Sequence, residues 1–88
     1  MMSERTLRED IITAYEELGK TTLHLSQIYE KVRTIREHRG DCIGDYDLFK
    51  SYIRWTLQNN SRGRGKNNFI MVKKGSGLWS IKNSTYDT

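Results

Sequence analysis

Proline is absent from the 88 residues, cysteine occurs once, and no apolar run reaches the ~18 residues a membrane helix needs. The missing run excludes a membrane-spanning helix. The single Cys42 has no partner for an internal disulfide, which fits a reducing, intracellular and cytoplasmic setting. The opening MMSERTLRED is charged from its start, which argues against a secretory signal. The lack of proline decides nothing by itself. Acidic residues are also scarce, but only in the second half. Residues 1–49 carry 7 Lys/Arg against 10 Asp/Glu, whereas residues 50–88 carry 8 Lys/Arg against the single acid Asp87. The halves are thus −3 and +7, and the chain is +4. Such a split points to a polyanionic partner for the second half, with nucleic acid the leading candidate and a plain basic face the bland alternative.

What is present reads as one small α+β domain over residues 1–88, with a core from about 6 to 82 and frayed ends. Thr6 and Glu9 form a capping box, and Leu7, Ile11, Ile12, Tyr15 and Leu18 recur at helical spacing up to Gly19. Leu25, Ile28, Tyr29, Val32 and Ile35 make a second stripe, beginning at His24 or Ser26, with Leu23 adding at most a short strand residue before it. The segment REHRGDCIGDYD reads as a loop or a frayed helix end. A third helix is expected from about Asp45 to Asn60. Beyond a glycine-spaced basic loop, FIMV and LWSI are short β-prone runs joined by KKGSG, a hairpin pattern. The expected order is three helices and then a C-terminal two-stranded hairpin, the order of a winged helix-turn-helix.

In the third helix, Leu48, Phe49, Tyr52, Ile53 and Leu57 gather on one side at 100° per residue, and Asp47, Lys50, Ser51, Arg54 and Gln58 on the other. Trp55 falls at the edge of the polar side. Arg54 and Gln58 lie one turn apart; arginine can address guanine and glutamine adenine, each worth ~1–3 kcal/mol of discrimination. Phosphate contact is an equal alternative for both. Trp55 has three open readings: cover for the core edge against residues 37–45, a contact with a thymine methyl or sugar, or one wall of a pocket for a modified or extruded base. The loop SRGRGKNN resembles the R-G-R core of minor-groove hooks but lacks their flanking prolines, so a basic arm on phosphates is expected.

The residues also resemble a known group. TLHLSQIY is similar to the start of the second helix in winged-helix modules. IRWTLQNNS, a basic stretch, an aromatic-led strand and GSGLWSI together resemble winged-helix domains fused to bacterial restriction endonucleases. Some of these accompany modification-dependent enzymes and read N6-methyladenine in duplex DNA. The likeness runs from about Leu7 to Ile81. It implies core roles for Leu57, Trp79 and Ile81 and functional roles for Arg54 and Gln58. No nuclease accompanies these residues, so a stand-alone protein and an excised module, with its nuclease or partner elsewhere, both remain open.

The expected nucleic-acid-binding set is therefore Lys50, Ser51, Arg54, Trp55 and Gln58 on the third helix, Arg62, Arg64 and Lys66 in the loop, and Lys73 and Lys74 in the hairpin. No cofactor, metal or small-molecule substrate is expected. His24, His38 and Cys42 lack zinc-ligand spacing, DCIGDYD lacks the glutamate of a calcium loop, and the glycines are not followed by the G-K-[ST] of a phosphate loop. No catalytic constellation can be assembled, so an enzyme is not expected. The leading function is a double-stranded DNA-binding module, with N6-methyladenine reading as its specific form. The alternatives are a protein-interaction module, a nucleic-acid binder without modified-base preference, and third an RNA binder.

Overall fold

Local signals in the chain set most helix ends. The computed structural model describes residues 6–61 and 69–81. Helix α1 spans Leu7–Leu18: the Thr6 hydroxyl accepts from the Glu9 amide at 3.1 Å, and the Glu9 carboxylate accepts from the Thr6 amide at 3.0 Å. Gly19 ends it at φ 68°, in the left-handed region that glycine occupies without a Cβ penalty. Strand β1 is Thr22–His24, and helix α2 follows at once as Leu25–Arg39. Helix α3 is Tyr46–Asn59, with Asp45 Oδ1 accepting from the amides of Asp47 and Leu48. Strands β2, Phe69–Met71, and β3, Leu78–Ile81, complete the set.

The sheet is antiparallel in the order β1-β3-β2, three strands rather than the two expected. Leu23 and Met71 flank Trp79 on either side of the middle strand. The third strand arises because β3 offers two edges and the hairpin covers only one. The other edge is taken by β1, with the Ile81 amide donating to the Thr21 carbonyl at 2.9 Å and the Leu25 amide to the Gly77 carbonyl at 2.8 Å. A three-residue strand carries too little alternation to be seen locally, and its partner lies nearly sixty residues away.

The core draws on every element: Ile11, Ala14 and Tyr15 from α1, Leu23 from β1, Ile28 and Val32 from α2, Phe49, Ile53 and Leu57 from α3, and Phe69 and Trp79 from the hairpin. Ile81 packs against it, so the three positions expected to be core are so placed. The Tyr15 hydroxyl donates to the Trp79 carbonyl, which joins α1 to the sheet and satisfies a phenol that burial keeps protonated.

Helix α2 runs further than a loop reading of REHRG allows, through Arg39 to Gly40. The reason is tertiary. Asp10 of α1 is fully buried, and its carboxylate accepts from Arg36 Nε at 2.7 Å and from Arg39 Nη1 and Nη2 at 3.1 and 3.0 Å. Burial raises the Asp10 pKa, but these hydrogen bonds and positive charges outweigh it and hold the carboxyl below its ordinary value. The last turn of α2 is therefore anchored. Among the described residues, no helix is long and apolar enough to cross a membrane.

Candidate nucleic-acid interface

Helix α3 has three faces, because 14 residues at 100° per step leave room for more than core and solvent. Phe49, Ile53 and Leu57, at four-residue steps, form the buried face. Asp47, Lys50, Ser51, Arg54 and Gln58 form the polar face. Leu48, Tyr52 and Trp55 form a third, exposed by 54%, 57% and 65%. Leu48 and Tyr52 thus leave the core stripe in which helical projection had placed them. Helices α1 and α2 and the sheet cover an arc centred on Ile53, and both residues lie outside it. Trp55 does not cover the core edge; its indole is in solvent.

The polar face is internally ordered. Ser51 Oγ donates to the Asp47 carbonyl at 3.1 Å and accepts from Arg54 Nη2 at 3.1 Å, while Arg54 Nη1 donates to the Tyr29 hydroxyl at 3.1 Å. The guanidinium is thereby held between two helices with two of its N–H groups engaged. Lys50 is less available. Its ammonium stands over the Tyr46 ring at 4.9 Å and the Tyr29 ring at 5.8 Å, and lies 3.6 Å from Asp47 Oδ1. Tyr46 in turn donates to Glu30 at 3.1 Å; burial and that carboxylate raise its pKa. Lys50 therefore belongs as much to the α2–α3 contact as to an outer surface.

A cleft of about 340 Å³ opens where α3 meets the β2–β3 turn. It brings together three of the expected residues, Arg54 and Gln58 from α3 and Lys73 from the turn. Lys74 is exposed on the same turn but does not line the cleft, and Lys50, Ser51 and Trp55 lie outside it. Arg62, Arg64 and Lys66 fall outside the described residues. Neither Gln58 nor Lys73 has a side-chain partner among the described residues. Gly75 and Gly77 adopt φ 82° and 76°, which lets the turn fold over the mouth of the cleft.

Sequence reasoning offered His24 or Ser26 as the start of α2 but gave His24 no place in a site. It caps α2, with Nδ1 accepting from the Ser26 amide at 3.1 Å and Gln27 Oε1 accepting from the His24 amide at 2.9 Å. Its ring also lines the cleft. The signal was present: H-x-x-Q has the spacing of a capping box, with imidazole nitrogen in place of the usual hydroxyl. Among the described residues, no group of three or more His, Cys, Asp or Glu is placed to hold a metal ion. No protein-family model, curated protein or solved structure matches the chain.

Proposed function

We propose that the chain is a winged helix-turn-helix module that binds double-stranded DNA through the outer face of α3 and the β2–β3 hairpin. One observation carries this reading. Arg54, Gln58 and Lys73 converge from two elements on one cleft, and no carboxylate lines it among the described residues. In this reading α2 and α3 are the helix pair, α3 enters the major groove, the hairpin is the wing and β1 is the wing's third strand. The +7 charge of residues 50–88 supplies the counterion-releasing surface. Duplex affinity should fall with a log–log salt slope of about −4 to −5, as expected for ~4–6 neutralised phosphates. A slope near zero, or no binding at low salt, defeats the reading.

The specific form of the proposal is recognition of N6-methyladenine, with Trp55 beside the modified base and Arg54 or Gln58 fixing the register. Its support is the solvent-facing indole one position from Arg54, since an aromatic face stacks on a base for ~1–3 kcal/mol. A matched pair of duplexes, methylated and plain, tests it; equal affinities reject methyl recognition and leave general duplex binding standing.

A second reading, a protein-interaction module, is favoured by Leu48, Tyr52 and Trp55 lying exposed at i, i+4 and i+7 on α3. A partner helix could cover such a stripe. Its binding would depend little on salt, which separates it from the first.

A further inference from the structure

We infer that the cleft between α3 and the β2–β3 turn is a seat for one phosphate group, with the His24 ring as a donor beside the cations of Arg54 and Lys73. This deepens the duplex-binding reading, and rests on it only for the source of the phosphate: a nucleic-acid backbone rather than a free phosphate or nucleotide.

Three observations converge. The first is sign and availability. Arg54, Lys73, His24 and Gln58, all with N–H donors, line a cleft that has no carboxylate among the described residues, and within the same set the side chains of Gln58 and Lys73 are unpartnered. The Arg54 guanidinium has five N–H groups, and its bonds to Tyr29 and Ser51 use two of them.

The second is the histidine tautomer. A backbone N–H can only donate, so the Ser26 amide at 3.1 Å makes His24 Nδ1 an acceptor. The ring proton then sits on Nε2, the nitrogen at the far side of the ring from α2. The third is the glycine that faces it. A Cβ at position 77 would stand 2.8 Å from His24 Nε2 and 3.2 and 3.3 Å from the carbons on either side of it, a clash with the ring that only glycine avoids at φ 76°. Glycine thus lets the turn close against the His24 ring, so that the ring and the turn line one cleft.

The donors come from three directions: the start of α2, the outer face of α3 and the turn. A planar carboxylate accepts within one plane, whereas the oxygens of a phosphate point tetrahedrally and can meet donors from several sides. The geometry therefore favours phosphate over an acidic peptide.

The test uses the full chain, isotope-labelled, followed by the His24 side-chain and Gly77 amide resonances. It is titrated separately with inorganic phosphate, an acidic peptide and a short DNA duplex. His24→Asn keeps an acceptor for the Ser26 amide but leaves its amide N–H groups short of the position of Nε2, and Lys73→Ala removes one cation; unchanged amide spectra confirm that both variants fold. The expected result is that the duplex shifts both resonances. Each variant should bind it about tenfold more weakly, and Lys73→Ala should reduce the salt slope by about 1. If inorganic phosphate shifts the resonances and the duplex does not bind, the seat stands, its source is a free phosphate, and the duplex reading fails. If the duplex binds with steep salt dependence while both resonances stay still and Lys73→Ala keeps the full slope, the seat is overturned and the duplex reading survives. A response to the acidic peptide alone overturns both.

Discussion

The Tyr29 hydroxyl on α2 accepts a 3.1 Å hydrogen bond from Arg54 Nη1 on α3, so the guanidinium is aimed by the neighbouring helix. An arginine held in place loses less side-chain entropy when it meets a base or phosphate than one free in solvent. Tyr29→Phe keeps the ring under Lys50 and removes only the acceptor. Duplex affinity should fall about three- to tenfold, in line with ~0.5–1.5 kcal/mol for one hydrogen bond. The thermal midpoint should move by less than about 4 °C. A larger loss of stability with unchanged affinity would make Tyr29 a packing residue only.

Trp55→Ala should leave folding intact, because an indole 65% in solvent contributes little to the core. Surface substitutions of this kind change stability by about 0.5 kcal/mol or less. A preference for methylated over plain duplex should vanish, while salt-dependent background binding persists. Equilibrium titrations of both duplexes with the variant check this, beside thermal melts.

Arg62, Arg64 and Lys66 lie together in the loop after α3 in the sequence, with no acid among them. Changing all three to alanine should weaken every duplex alike and flatten the salt slope by up to about 3, one for each phosphate no longer neutralised. Affinity measured across a salt series checks both. A sequence-selective loss would instead assign base recognition to the loop.

Asp10→Asn removes the anion that Arg36 and Arg39 share. The expected cost is about 2 kcal/mol, less than for a fully enclosed pair because both arginines reach solvent that screens them. The folded carboxyl has a pKa below its reference of 3.8, so the unfolded chain takes up protons first as pH falls. Its contribution is therefore complete above about pH 5 and is lost as pH drops through the folded value. Thermal melts should show wild type and Asp10→Asn well separated at neutral pH and converging under acid.

Features encoded within a few residues were legible in the chain, and features encoded by distant partners were not. The Thr6–Glu9 box and Gly19 bound α1 as read, since each acts within one turn. Leu57 and the FIMV and LWSI strands also fell where pattern placed them, and Trp79 is in the core as the resemblance implied. The extent of α2 did not, because Arg36 and Arg39 hold helical form through an aspartate twenty-six or more positions earlier. Nor did the exposure of Leu48 and Tyr52. Helical periodicity defines an apolar arc, but only the packed neighbours decide where that arc ends. Of the expected binding residues, Arg54, Gln58 and Lys73 meet at one cleft. His24 joined them unforeseen because its role depends on Gly77, fifty-three positions away.

The place of β3 at the centre of the sheet has a bearing on how the protein is made. As the chain leaves the ribosome, α1, β1, α2, α3 and β2 all emerge before the strand to which both β1 and β2 must pair. Helices can form early, but Leu23 and Phe69 have no sheet to close over them until Leu78–Ile81 arrives. The middle strand is then a keystone: the nascent sheet stays protease-sensitive until Leu78–Ile81 has emerged, and its closure is limited by long-range pairing.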